Sequence, residues 1–396
     1  MMNAFRLAGV LLLALAGAAH AQAPARPAAP RPAAPAADAP AATPAPEKPL
    51  ALRMEGNITL RGPTGRWGTP VVDELNRRIY LPRGPAGLTV LSLDGFKPVA
   101  EVPETAGSFA VALDPETLRG FSAGTADAAA DGPAGAITVF DQRGFKPIPN
   151  VPEPVKALRV RHLLYDAATK QLAAVTQEGV LTLIDPAKLA ITGTIPLQGR
   201  RVTALAADRR GRLFASLADQ DAVAVVNLVS REVATVWRPE GCRQPVAMVF
   251  DSVGMRLIVA CRGGRAEGAR PEAEPARESA FVIDPLGGRV LGRLPIPAGT
   301  ESLIHDPVQR LVYAVSAAAS AVTVFRQPDP FRYDPLETAG TRPLAGFGVA
   351  DGRTGRLLLA TAEYIVVAPQ PDGTGGGLRL LPNSYTLLSM KRLPLD

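Results

Sequence analysis

The feature that most constrains this chain is a unit repeated seven times, in which a short apolar run ends at an aspartate turn and a second apolar run follows. The turn aspartates are Asp73, Asp114, Asp166, Asp208, Asp251, Asp306 and Asp351, separated by 41, 52, 42, 43, 55 and 45 residues. That is one base period in the low forties with two insertions. A unit of this length cannot bury its own apolar faces alone and must pack against copies of itself. The aspartates themselves need no catalytic explanation, because an Asp side chain that accepts hydrogen bonds from the backbone two or three residues later makes a tight turn.

After each turn comes a second run, among them Arg78 to Tyr80, Arg212 to Phe214, Arg256 to Ile258 and Arg310 to Tyr313. A third follows in most repeats: LTVLSL from Leu88, ITVFD from Ile137, LTLID from Leu181, VAVVNL from Val223, FVID from Phe281 and VTVF from Val322. These runs are four to six residues long, β-branched and bounded by Gly, Asp and Pro, which predicts strands rather than helices. A weaker fourth run, such as Glu232 to Trp237 or Arg289 to Leu294, closes the unit. Four antiparallel strands per period make one propeller blade. The expected fold is therefore all-β, a seven-bladed β-propeller of four-stranded antiparallel blades over residues 50–396.

The turns Asp114-Pro115 and Asp306-Pro307, the second-strand runs Tyr80-Leu-Pro and Tyr313-Ala-Val-Ser316, and the TVFD and TLID third strands resemble the YVTN-type β-propeller repeat family, found in many secreted bacterial proteins and in archaeal surface-layer proteins. The resemblance covers about residues 50–396 and implies a fold more than a chemistry, because the family is functionally mixed.

An open row of blades would leave sheet edges for other chains to pair with. The run Glu55 to Leu60 ends 13 residues before Asp73, and the outer strand Glu232 to Trp237 ends 14 before Asp251. The N-terminal strand is thus expected to fill the fourth position of the last blade and close the ring. For that blade's third strand, Tyr364 to Val367, Leu378 to Leu381 and Tyr385 to Met390 compete.

Residues 1–21 read as a secretory signal peptide: Arg6, an apolar run from Leu7 to Ala18, then Ala19-His20-Ala21 before cleavage at Gln22. The run is short for a membrane span and no lipid-accepting Cys follows, so the mature chain is expected without a transmembrane anchor, in the periplasm or secreted. Residues 22–49 hold 12 Ala and 9 Pro in 28 positions and read as a disordered, semi-rigid spacer. With 43 Lys plus Arg against 37 Asp plus Glu, losing Arg6 leaves a net charge of +5, a mild excess. That balance and only 5% aromatic residues argue against nucleic-acid binding. A monomer is expected.

In such a ring, the loops between second and third strands share one face, the top, with the connections from each outer strand to the next inner strand. The long segments Gly124 to Gly135, Arg262 to Glu278 and Arg326 to Arg342 are expected there, as binding loops or as neutral insertions. Cys242 precedes an inner strand and Cys261 ends its partner, so the hairpin brings both to the top edge. In an oxidising compartment a disulfide is expected.

The connections entering the inner strands carry arginines: Arg66, Arg159 and Arg201 stand seven residues before their aspartates, Arg243 and Arg342 eight and nine. Around the channel mouth they form a candidate ring for an anionic ligand, with Trp67 adding an aromatic surface; the competing reading has them cap carbonyls and pair with acidic neighbours. Only His162 and Glu301 near the mouth are potential metal ligands, whereas a lactonase-like site needs several converging carboxylates, Asn or His. No Ser-His-Asp spacing, HExxH or CxxC is present. The sequence reads as a non-catalytic binding or scaffolding module without a cofactor, recognising a protein, peptide or anionic envelope component. The alternative is a lactonase-like or other hydrolase of small cyclic or sugar substrates using His162, Glu301 and the channel arginines.

Overall fold

The computed structural model describes residues 50–124, 136–264, 277–369 and 376–394. The expected signal peptide and spacer, and most of the insertions after Gly124 and Arg262, lie outside the described residues.

Seven antiparallel blades form the ring. The inner strands are Val71–Asp73, Ser108–Asp114, Val160–Asp166, Val202–Ala207, Pro245–Asp251, Thr300–Asp306 and Phe347–Asp351, so each repeat aspartate ends an inner strand or directly follows one. Each inner strand touches the next, and the first touches the last. Six blades have four strands, and blade two has three, Ser108–Asp114, Arg119–Gly124 and Ile137–Asp141. Its fourth position holds a bridge from Phe140 to Pro147 and bonds from Ile148 N to Val139 O at 2.7 Å and from Asp141 N to Lys146 O at 3.0 Å, without forming a strand. Pro147, Pro149 and Pro152 stop the strand there. The chain then makes the short helix Glu153–Lys156, which buries Val155, on its way into blade three.

The last blade closes as the spacing predicts. Leu50–Leu60 pairs with Tyr385–Pro394, which pairs with Arg356–Thr361. Tyr385–Pro394 is therefore the third strand. Its two competitors, Tyr364–Val367 and Gly377–Leu380, pair with each other in a separate two-stranded ribbon. Blade six corrects a second expectation: Arg326 to Arg342 is not a top-face loop. The strand Ala321–Asp329 continues into this stretch and pairs with Arg332–Gly340 from Ala321↔Gly340 to Asp329↔Arg332. Pro328, Pro330 and Pro335 disguise it in the sequence, yet an outer strand tolerates Pro335 because its free edge lacks a partner.

Apolar side chains gather in seven clusters, each shared by two adjacent blades. The second strands, Leu172 to Val175 or Leu257 to Cys261, are buried on both sides, which is why they read as unbroken apolar runs. Each fully buried Leu or Phe contributes roughly 1.5–3 kcal/mol. Polar ties on the bottom face add to this. The buried Asp251 carboxylate accepts from Gln327 Nε2 at 2.5 Å and from the Tyr333 hydroxyl, and faces His305 Nε2 at 3.1 Å. All three partners belong to blade six. No described helix is long and apolar enough to cross a membrane.

Candidate binding site

At the top mouth of the central channel lies a cavity of about 570 Å³ to which all seven blades contribute. Arg66, Arg161, Arg201 and Arg262 line it, from blades one, three, four and five, and Glu301 of blade six is its one carboxylate among the described residues. Gln177, Thr203 and Ser302 add polar groups, while Phe109 and Phe347 meet edge to face across the ring at 6.3 Å between centroids.

Local backbone chemistry places these arginines. Arg201 sits on the connection into blade four, where the amides of Arg200 and Arg201 donate to Asp219 at 2.8 and 3.2 Å. Burial alone would raise the Asp219 carboxyl, but these amides hold it below its ordinary range, so it stays an ionised clamp. The turn at Gly179 packs against the same connection. It has φ +77°, and a Cβ there would lie 1.9 Å from the Gly199 carbonyl oxygen, so only glycine permits the approach. Blade one repeats the device: Gly84, at φ +59°, would place a Cβ 2.0 Å from the Arg66 carbonyl oxygen.

Arg262 follows Cys261, and Cys242 and Cys261 form the expected disulfide with a Cα–Cα distance of 5.3 Å. The cross-link anchors the strand end from which Arg262 enters the cavity. Glu301 is half-buried, and burial pushes its carboxyl above the usual range despite the opposing fields of Arg262 and Arg66. The site thus sets four guanidinium groups around one cavity with a carboxylate whose pKa burial raises. Such an arrangement accepts carboxylate or phosphate oxygens through paired, charge-assisted hydrogen bonds.

The sequence-derived candidates distribute unevenly. Arg66, Arg201, His162 and Glu301 line the cavity. Arg159 is exposed beside it, its carbonyl accepting from the Gln177 amide at 3.2 Å. Arg243 is ion-paired with Asp221 at 2.7 Å, and Arg342 lines a second cavity of about 500 Å³ with Thr361 and Glu363. Trp67, expected as an aromatic surface, is instead buried between blades seven and one, edge to face with Tyr385 at 5.7 Å. His162 donates from Nε2 to the Val202 carbonyl at 3.1 Å, and burial depresses it to about 4, so it is a neutral tie between blades three and four. Among the described residues no three His, Cys, Asp or Glu side chains gather as a metal site.

Counting back from the aspartates missed Arg161 and Arg262. Arg161 lies at the register shift between Val160 and His162, where counting along a regular strand fails. Arg262 was hidden in a charge-balanced stretch, and only its adjacency to Cys261 pointed to a fixed position.

No protein-family model matches the chain, and neither does any curated protein. Solved structures do match in fold. Hydrazine synthase from Kuenenia stuttgartiensis is 12% identical with a TM-score of 0.62, over 83% of this chain and 97% of that one. The RRP9 WD40 repeats are 12% identical with a TM-score of 0.62, over 86% and 100%. A chain of the mitotic checkpoint complex is 12% identical with a TM-score of 0.62, over 91% and 98%. These likenesses carry the seven-bladed propeller fold and nothing finer.

Proposed function

We propose that this is a non-catalytic binding or scaffolding propeller of the periplasm or extracellular space, held on an Ala/Pro spacer. It recognises a protein, peptide or envelope component through anionic groups presented to the top channel mouth. The repeat signature of YVTN type and the expected signal peptide support the compartment, and the WD40-repeat neighbours are in keeping with a binding role. One observation carries the reading: four arginines from four blades converge on one cavity with a single half-buried carboxylate between them.

Calorimetry with citrate as a probe, paired with crosslinked recovery of partners from native envelopes, tests it. Arg66→Ala, Arg201→Ala and Arg262→Ala should each weaken anion binding by about tenfold. If the triple variant keeps every interaction of the parent protein, the reading fails.

A further inference from the structure

The bottom face, opposite the arginine cavity, carries a surface of different construction. Among the described residues, six large apolar side chains are more than three-fifths exposed: Leu75 at 84%, Leu286 at 79%, Val366 at 77%, Phe331 at 75%, Val229 at 74% and Val308 at 64%. All except Val366 stand at the tips of bottom turns, between first and second strands or between third and fourth. Water-facing turn tips ordinarily carry Gly, Asn, Asp or Ser. Blades two and three follow a polar rule, tipped by exposed Glu116, Arg143 and Lys188. Four of the five apolar tips gather on blades four to six, and Leu75 stands apart on blade one.

They form one surface. A Cβ on Gly211 would lie 3.4 Å from Val229, and Arg212 of the same turn donates to the Pro285 carbonyl at 2.6 Å, beside Leu286. A Cβ on Gly254 would meet the Pro330 carbonyl at 2.5 Å, and the Arg256 guanidinium lies 5.2 Å from the centre of the Phe331 ring. Between the tips, Arg209, Arg210, Arg231, Arg289 and Arg353 are exposed, while Asp208, Asp251, Asp306 and Asp351 of the neighbouring turns are buried. Solvent therefore meets apolar tips set among these guanidinium groups, with the carboxylates of Glu232 beside Val229 and Asp329 beside Phe331 also exposed. The chain also enters the described domain on this face, where Leu50 pairs with Pro394 at the rim.

We propose that this face docks peripherally on an anionic phospholipid surface, the tips of Val229, Leu286, Val308 and Phe331 entering the interface and the arginines meeting headgroup phosphates. Apolar side chains on separate protruding turns suit a fluid interface, which needs no matching pocket for each of them. The arginines supply the attraction to negative lipid. The docked domain turns its top cavity away from the membrane. This inference stands apart from the proposed function, since no residue is shared.

The test is co-sedimentation of the purified full chain with phosphatidylcholine vesicles, with and without phosphatidylglycerol, at low and high salt. Binding should require phosphatidylglycerol and weaken with salt. Leu286→Asp combined with Phe331→Asp should reduce it at least about tenfold while thermal melting is unchanged. Arg66→Ala with Arg201→Ala should leave it intact. No binding to either vesicle, or binding indifferent to the aspartate substitutions, overturns the proposal. A photocrosslinker at position 286 that captures a protein from native envelopes, while vesicles bind nothing, assigns the face to a protein partner and overturns it as well.

Discussion

Arg77 of the first blade grips Asp351 of the last through two hydrogen bonds of 2.7 Å, Nη1 to Oδ1 and Nη2 to Oδ2. Asp351 is buried, and burial alone would raise its carboxyl, but Arg77 and the Thr354 hydroxyl outweigh that and hold it below its ordinary value. The bidentate pair ties the last blade to the first, which the chain otherwise joins through Leu50–Leu60 running on into Val71–Asp73. Glu337 of blade six adds a further tie, accepting from the Leu52 amide at 2.8 Å and from Arg392 at 2.9 Å.

Removing Arg77 leaves Asp351 charged and buried without its partner. Arg77→Ala should cost on the order of 3 kcal/mol in urea unfolding. Arg77→Ala combined with Asp351→Asn should recover part of it, because the stranded charge is gone. A single-substitution cost no larger than that of an exposed pair, roughly 0–1 kcal/mol, would show that the seam is held by the apolar cluster alone.

The disulfide has two consequences. Cys242 and Cys261 are 19 residues apart and almost fully buried. Closing such a loop stabilises by about 3 kcal/mol in the chain-entropy account. Native protein should resist dithiothreitol until denaturant opens blade five, and Cys242→Ser with Cys261→Ser should lower the melting temperature. The same variant should weaken anion binding, because Arg262 loses its anchor. Rapid reduction in native buffer would contradict the buried placement.

The ring was legible in the sequence because its signals are redundant: seven aspartates, each flanked by apolar runs, fix the blade count even where one strand fails. Closure by Leu50–Leu60 was legible from spacing alone. The third strand of the last blade was not, since Ile365 and Tyr385 sit in equally apolar runs and only pairing separates them. Tyr385–Pro394 is long enough to pair with strands on both sides, which leaves Ile365 and Val366 exposed. The arginine site was half legible for a different reason. Five inner strands shift register near their top ends, at Ser108/Ala110, opposite Val175/Thr176, and at Val202/Leu205, Pro245/Ala247 and Thr300/Ser302. A residue count from the aspartate is blind to such bulges, which re-aim side chains at the mouth.

His162 predicts a pH dependence of stability. Its folded-state value of about 4 lies below the ordinary 6.5, so the unfolded chain binds the extra proton first as pH falls. Stability should be fully present above about pH 6.5 and drop towards pH 4, by on the order of 2 kcal/mol from this group. Melting curves across that window check it, with His162→Gln expected to flatten the slope relative to the parent. Equal slopes would mean the ring is solvated in the native state.

Glu301 makes the opposite prediction for binding. Burial raises its carboxyl, with Arg262 and Arg66 only partly compensating, so acidification neutralises it earlier than an exposed glutamate. Neutral Glu301 takes a negative charge out of the cavity, and affinity for an anion that keeps its own charge should rise on acidification. Glu301→Gln fixes the neutral state: sulfate, which keeps its charge throughout this range, should bind about fivefold to tenfold more tightly at neutral pH, with the pH dependence removed. Calorimetry at several pH values separates two roles for the carboxylate. Tighter binding by the variant makes it a brake on anion capture, whereas weaker binding would make it an acceptor for a donor group on the ligand and overturn the purely anionic description of the site.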